Sequence, residues 1–174
     1  MTFFLKFILI ISFVFLSACQ NKDENISIIE NKDLDLQMID AYNEGLKYLE
    51  EKYPIKAAKK FNEAELLYPQ SLWAPRSSLM AAYSFYYGSY YIDAIIELNR
   101  FIEIYPNHER IVYAYYLLGM CHYEQITDEK KDLGSIIDAQ NNFKYVLKNY
   151  PESEFALDSQ FKLELIQEIL ASKE

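Results

Sequence analysis

Glycine, histidine and cysteine are scarce in this chain. Its 174 residues include four glycines, two histidines and two cysteines. Few glycines leave little scope for loops that cradle phosphate groups, and the sequence contains no HExxH, G-x-S-x-G, P-loop or G-x-G-x-x-G motif. His108 and His122 have no cysteine or carboxylate partner at a metal-ligand spacing. We therefore expect a protein that is not an enzyme and that holds neither a metal nor a cofactor.

Basic residues are outnumbered by acidic ones. The chain has 17 Lys and Arg against 26 Asp and Glu, which gives a formal net charge of -9. This balance disfavours nucleic acid as a partner, because binding to the phosphate backbone depends on cationic side chains. Aromatic residues, in contrast, are abundant, with 16 Tyr and 11 Phe. This composition suits a packed helical array with many contact positions of mixed polarity.

The N-terminus carries a targeting signal. Lys6 is followed by an apolar run over residues 7–16, which is too short to span a bilayer and has the length of a signal-peptide core. The run ends in Leu16-Ser17-Ala18-Cys19, which resembles the bacterial lipobox. We predict a lipoprotein signal peptide over residues 1–18 and acylation of Cys19, with palmitate-type chains as the membrane anchor. An ordinary secretory signal is the alternative.

Two further expectations concern the residues beyond Cys19. Residues 19–36 are polar and without clear periodicity, which predicts a flexible tether between the lipid and the folded domain. Cys121 is the only thiol left once Cys19 is acylated, so no intramolecular disulfide can form. Its apolar neighbours predict a buried and inert thiol.

One residue pattern recurs three times after the tether. A small residue is followed by an aromatic residue or His, an Ala, two apolar residues and a Pro. The three sets are Gly45, Tyr48, Ala57, Phe61, Ala64 and Pro69; Ala82, Phe85, Ala94, Leu98, Phe101 and Pro106; and Gly119, His122, Ala139, Phe143, Val146 and Pro151. The pattern is typical of the tetratricopeptide repeat (TPR), in which small residues let two helices approach and proline ends the second helix.

The repeat predicts an all-α TPR solenoid of about three helix pairs in a domain spanning residues 37–174. The repeats cover about 38–71, 75–108 and 111–153, and an extra helix covers 153–171. That last helix is either a cap over the open end of the array or the first half of a fourth repeat. The third repeat has extra residues between its two helices, which predict a longer loop that is either a solvated surface or a partner contact.

The first helix of each TPR lines the concave face of the array. Tyrosine offers an apolar ring and a polar tip, which suits extended peptides of varied sequence, whereas packing between repeats is the alternative use of these rings. Projecting the repeat onto the chain predicts a peptide-binding groove formed by Tyr42, Asn43, Arg76, Tyr83, Tyr86, Tyr87, Tyr116, Met120 and Tyr123.

Residues 42–169 resemble the BamD family, the TPR lipoproteins of the outer-membrane β-barrel assembly machine. The resemblance rests on the Leu67-Tyr68-Pro69 corner, the helix Ala81-Ala82-Tyr83-Ser84-Phe85-Tyr86-Tyr87, the segment Tyr105-Pro106-Asn107-His108 and the helix Tyr113-Ala114-Tyr115-Tyr116-Leu117-Leu118-Gly119. It implies a non-enzymatic scaffold that binds unfolded outer-membrane proteins, a BamA-like β-barrel subunit and other assembly lipoproteins.

The same resemblance implies a location. Gln20 follows the lipobox cysteine, and by the sorting rule of such lipoproteins this favours the periplasmic face of the outer membrane. Family members usually carry about five repeats, and the resemblance assigns the BamA-like contact to the C-terminal ones, which are not among the three repeats here. The alternative function is a periplasmic TPR coordinator of cell-wall or division enzymes, similar to CpoB.

Overall fold

A computed structural model gives the fold of the chain. It describes the backbone of residues 24–126 and 133–171, and the side chains from residue 33 onward within those ranges. The predicted signal peptide, Cys19 and most of the predicted long loop of repeat three therefore lie outside the described residues. The described part contains seven α-helices and no strand, which confirms the all-α, TPR-like fold.

The helices follow one another along the chain. They are α1 (Glu24–Glu50), α2 (Pro54–Leu67), α3 (Ala74–Tyr87), α4 (Tyr91–Ile104), α5 (Ile111–Ile126), α6 (Leu133–Asn149) and α7 (Ala156–Ala171). From α2 onward each helix packs against the next, and α3 also contacts α5. The repeats all belong to the unit Leu36–Glu174. None of the helices in ranges 24–126 and 133–171 has both the length and the apolar character needed to cross a bilayer.

The first helix begins earlier than the sequence suggested. Residues 19–36 were expected to form a flexible tether, but α1 begins at Glu24 and continues through the whole first half of repeat one. The physical reason is the absence of a stop signal, because no proline or glycine occurs between Gln20 and Glu44. A polar composition therefore did not exclude a helix in this segment.

Glycine permits the close approach of the two helices within repeats one and three. A Cβ added at Gly45 would lie 2.8 Å from Cδ1 of Phe61, and one at Gly119 would lie 2.8 Å from Cε1 of Phe143. Both phenylalanine rings are fully buried, as is Leu98 at the same position of repeat two. The aromatic ring of the second helix thus fills the space that the missing side chain leaves on the first.

The turns inside repeats one and two share one geometry. Lys52 and Ser89 occupy equivalent places and both have φ of 62°, in the left-handed region. The next residue of each turn donates its backbone N–H to a helix carbonyl, from Tyr53 to Tyr48 at 2.8 Å and from Tyr90 to Phe85 at 2.9 Å. These bonds satisfy carbonyls that the end of a helix would otherwise leave free. In repeat three the extra residues also lengthen both helices, since α5 and α6 run to 16 and 17 residues against 14 in α3 and α4.

A charged network joins repeats one and two. Arg100 on α4 donates to both oxygens of Glu65 on α2, at 2.9 and 2.6 Å, and to Oε2 of Glu97 at 2.9 Å. Its guanidinium also donates to Ser78 Oγ at 3.0 Å, and the hydroxyl of Tyr105 donates to Glu65 Oε1 at 2.8 Å. Glu65 is only 5% exposed, so the network neutralises a carboxylate that would be costly to bury alone.

Aromatic rings occupy the equivalent positions one repeat later. Tyr115 stands where Ser78 stands in repeat two, Tyr145 stands at the place of Arg100, and Tyr150 stands at the place of Tyr105. The rings of Tyr115 and Tyr145 have centroids 4.1 Å apart, and those of Tyr145 and Tyr150 are 6.3 Å apart. Burial raises the pKa of Tyr115 to about 12, helped by its hydrogen bond with the Tyr145 hydroxyl.

Candidate peptide-binding groove

A cavity of about 250 Å³ lies between the first helices of repeats two and three. It is lined by Arg76, Leu79, Met80 and Tyr83 of α3 and by Tyr113 of α5, with Arg110 immediately before α5. Helix α3 supplies four of these residues because 76, 79, 80 and 83 fall on one side of a helix. Two residues of the projected groove, Arg76 and Tyr83, are thus brought together here.

The cavity combines two cations with aromatic walls. Among the described residues, neither Arg76 nor Arg110 forms an ion pair with a carboxylate. The Arg76 guanidinium instead lies over the Trp73 ring at 5.2 Å and near the Tyr42 ring at 5.9 Å. Burial raises the pKa of Tyr113 well above its usual range, so that ring stays neutral. The site can therefore bind an anion beside an apolar or aromatic group.

Tyrosines at the far end of α3 extend this surface. Tyr87 is exposed, and its ring centroid lies 6.3 Å from that of Tyr83. Tyr86 is half-buried against Tyr91 at 5.9 Å, and burial, with a contribution from Glu124, raises its pKa to about 12. Tyr87, which is exposed, and Tyr83, which lines the cavity, are accordingly the rings of α3 that a ligand in the cavity would meet.

Two residues that the repeat projection assigned to the groove lie in the interior. Tyr42 is 6% exposed and packs edge-on against Phe61 at 5.1 Å and Trp73 at 5.3 Å. Met120 is 8% exposed and belongs to the core around α5. The physical reason is packing, since Tyr42 fills the space between Phe61 of α2 and Trp73 of the turn before α3, whereas Met120 lies in the core cluster around α5. Asn43, next to Tyr42, is exposed on α1.

The last helix covers the groove side of repeat three. Tyr116 stacks on Phe155 with ring centroids 5.0 Å apart, and its hydroxyl donates to Asp158 Oδ2 at 2.6 Å. Lys162 Nζ lies 4.7 Å above the Tyr123 ring. Tyr116 and Tyr123 are thus partners of α7 in this structure, and the open part of the groove is confined to repeat two and the start of α5.

Sequence reasoning missed Arg110. This residue follows Pro106 by four positions, as Trp73 follows Pro69 and Phe155 follows Pro151. Those two aromatic residues pack against the preceding first helix, at Tyr42 and Tyr116. The position before each first helix therefore reaches the previous repeat. An arginine there in an otherwise aromatic series was the signal available in the sequence.

Cys121, His122 and a depression on α2 are the other candidate features of the described residues. Cys121 is fully buried, and burial raises its thiol pKa to about 12, which fits the predicted inert role. His122 lies 3.9 Å from Asp138, but burial lowers its pKa. Within ranges 24–126 and 133–171, no three metal-ligating side chains come together. A shallow depression of about 400 Å³ is lined by α2 alone, where Asn62 and Glu63 already have partners.

Comparison with known proteins gives the family. A family model described as "YfiO: Outer membrane lipoprotein" matches residues 34–174. Proteins named "Outer membrane protein assembly factor BamD" are similar to the chain in Caulobacter vibrioides, at 32% identity over 91% of this chain and 51% of the relative, and in Rickettsia prowazekii, at 32% over 100% and 66%. A relative of the same name in Xylella fastidiosa is 25% identical over 96% of this chain and 59% of its own length.

These matches cover nearly all of the chain but only part of each relative. The chain spans about half to two thirds of the length of the relatives it matches. The family resemblance inferred from the repeat corners is nevertheless confirmed, because the matched model begins near the start of the compact unit and continues to residue 174. The chain belongs to the YfiO family of outer membrane lipoproteins.

Proposed function

We propose that the chain is a non-enzymatic binding scaffold of outer-membrane β-barrel assembly. On this proposal Cys19 is acylated, the domain is held at the periplasmic face of the outer membrane, and it works beside a BamA-like subunit and other assembly lipoproteins. The matching relatives are named as assembly factors, which supports the general role. Co-purification from detergent-solubilised membranes tests these partners directly.

The ligand of the groove is the C-terminal end of an unfolded outer-membrane protein. The observation that carries this proposal is the pair of guanidiniums, Arg76 and Arg110, at a cavity walled by Tyr83 and Tyr113 in an acidic chain. A chain that ends in an aromatic residue presents a free carboxylate and a ring on one residue. Arginine recognises carboxylates with directed hydrogen bonds, and tyrosine packs against rings.

The size of the cavity fits this ligand. Its volume of about 250 Å³ is smaller than the roughly 300–1,000 Å³ of sites that enclose whole small molecules, so it accommodates one terminal residue. Tyr87 lies beyond Tyr83, on the path along which a preceding residue of the peptide would extend. Tyrosine hydroxyls along this path can bond the peptide backbone whatever its sequence.

Peptides copying the last strand of a β-barrel test the proposal. We expect affinity in the micromolar range, equivalent to about 8 kcal/mol. Amidation of the C-terminus or replacement of the terminal aromatic residue by Ala should each weaken binding at least tenfold. Arg76→Gln with Arg110→Gln should abolish the difference between the free and the amidated peptide. Lys59→Gln, an exposed cation on α2, is the matched control and should leave binding unchanged.

A second measurement locates the ligand in cells. A photo-reactive group at Tyr87 should trap unfolded barrel proteins, and one at Lys59 should not. Equal affinity for free and amidated peptides, or trapping only at Lys59, would contradict the groove while leaving the family assignment intact. Helical circular dichroism of each variant shows that the fold survives the substitutions.

A further inference from the structure

The turn between α2 and α3 holds a leucine and a tryptophan in water. Leu72 is 94% exposed and Trp73 is 39% exposed. The turn itself is ordered by hydrogen bonds, because Ser71 N–H donates to the Tyr68 carbonyl at 3.0 Å and Ala74 N–H donates to Ser71 Oγ at 3.1 Å. These hydrogen bonds order the turn, so the Leu72 side chain is held in solvent.

The equivalent turns show that the fold does not require this leucine. His108 N–H donates to the Tyr105 carbonyl at 3.1 Å, and Ser153 N–H donates to the Tyr150 carbonyl at 3.0 Å. All three turns therefore share the same backbone hydrogen bond. The residue corresponding to Leu72 is a glutamate in both other turns, Glu109 and Glu154. Only the first turn replaces a solvated charge with an apolar side chain.

Apolar side chains continue from this turn along α1. The Trp73 ring packs against Tyr42 at 5.3 Å. Ile39 lies three residues before Tyr42, and Leu36 lies three before Ile39, so each is a surface neighbour of the next on the helix, and they are 39% and 55% exposed. No acidic residue occurs between positions 68 and 76, and Arg76 lies over the Trp73 ring. We call Leu36, Ile39, Leu72 and Trp73 the turn face.

We propose that the turn face inserts into the headgroup region of the membrane that carries the chain. This inference rests on the proposed acylation of Cys19, which lies 17 residues before Leu36. Tryptophan suits the membrane–water interface, where its ring enters the apolar boundary. An apolar face buried roughly 5–10 Å deep supplies a second attachment beside the acyl chains.

Intrinsic fluorescence measures this contact directly, because Trp73 is the only tryptophan of the chain. The full-length lipidated protein is reconstituted in vesicles of phosphatidylethanolamine and phosphatidylglycerol, with and without bromine on the acyl chains near the glycerol. We expect a blue-shifted emission that brominated lipid quenches by at least half. Leu72→Glu, the residue of the equivalent turns, should remove most of this quenching while the protein still floats with the vesicles.

A matched control separates this effect from a general change of charge. Leu157 on α7 is 79% exposed, and Leu157→Glu should leave both flotation and quenching unchanged. Flotation without quenching of Trp73 by brominated lipid overturns membrane insertion and leaves acylation intact. Failure of the wild type to float and to be quenched contradicts both. Protection of Trp73 from aqueous iodide only after other assembly proteins are added assigns the turn face to a protein partner and also overturns the proposal.

Discussion

The three repeats meet at two junctions, the first between repeats one and two and the second between repeats two and three. The side chains at these two junctions differ in chemistry. Equivalent positions hold Ser78, Arg100 and Tyr105 at the first junction and Tyr115, Tyr145 and Tyr150 at the second. The first junction also has a carboxylate, Glu65, where the second has Ile102. A TPR array therefore fixes where side chains meet between repeats but leaves their chemistry open.

The two solutions differ in what happens when one member is removed. A buried carboxylate that loses its arginine keeps its desolvation cost without compensation. An aromatic stack that loses one ring loses only packing and the modest attraction between rings. The charged junction is thus the more sensitive to a single substitution, and the aromatic junction is the more tolerant. Because repeats are coupled to their nearest neighbours, a weakened junction affects the whole short array.

The largest loss of stability should follow removal of the buried phenylalanine ring inside repeat one or repeat three. These losses give a reference value for the substitutions at the junctions. Phe61→Ala and Phe143→Ala should each lower the free energy of unfolding by about 3–5 kcal/mol, since both rings are fully buried beneath a glycine. Urea denaturation followed by circular dichroism gives the values. Similar costs at the two sites would show that the repeats differ at their junctions and not in their interiors. Losses below about 1 kcal/mol at both would contradict the repeat register.

The next effect tests the charged junction alone. Arg100→Leu should cost about 3 kcal/mol, the low end of the range for a broken buried pair, because the Arg100 side chain is 35% exposed and water reaches it. Glu65→Leu combined with Arg100→Leu should recover most of the loss, since it makes the first junction apolar like the second. The same denaturation experiment measures Arg100→Leu, the single variant Glu65→Leu and the double variant.

The stability of the double variant shows whether Glu65 and Arg100 act as a pair. If the two substitutions simply add, Glu65 and Arg100 do not act as a pair and the contrast between the junctions fails. Lys60→Met is the matched control, because Lys60 pairs with Glu44 and Glu63, whose side chains are 54% and 49% exposed. Exposed pairs of this kind contribute little, so that variant should keep nearly the full stability.

The sequence predicted the interior of each repeat better than the contacts between repeats. A periodic pattern predicted the contacts of Gly45, Phe61 and Phe143, because the two helices of one repeat meet at fixed spacings along the chain. The contact of Tyr42 with Trp73 and the covering of Tyr116 by α7 depend on how consecutive repeats pack against each other. Spacing along the chain predicts which helix such a residue lies on, but it does not predict which residue of the next repeat will cover it.

Part of the candidate groove was also predictable from the sequence. Arg76 and Tyr83 could be placed from the repeat, since both lie on the first helix of repeat two. Arg110 could not, because it lies in a turn before α5 and enters the cavity only through the packing of α3 against α5. The start of α1 at Glu24 was missed for a different reason, since polar residues without glycine or proline are compatible with both a helix and a tether.

The smallest effect concerns the aromatic junction at alkaline pH. The pKa of Tyr115 is raised from its ordinary value of 10.0 to about 12, chiefly by burial and further by its hydrogen bond with Tyr145. The unfolded chain therefore loses this proton first as the pH rises. Stability from the neutral hydroxyl is complete below pH 10 and is lost as the pH rises toward 12.

Thermal melts between pH 9 and pH 12 measure this loss. The wild type should melt at progressively lower temperature across that range, and Tyr115→Phe should decline less steeply, because phenylalanine has no proton to lose. Other tyrosines contribute to the slope, among them Tyr105, whose pKa is raised by burial and by its bond to Glu65. Tyr53→Phe, which alters an exposed ring on the turn before α2, is the control and should follow the wild type. Identical slopes for Tyr115→Phe and the wild type would show that the second junction is held by ring packing alone, without a contribution from the neutral hydroxyl.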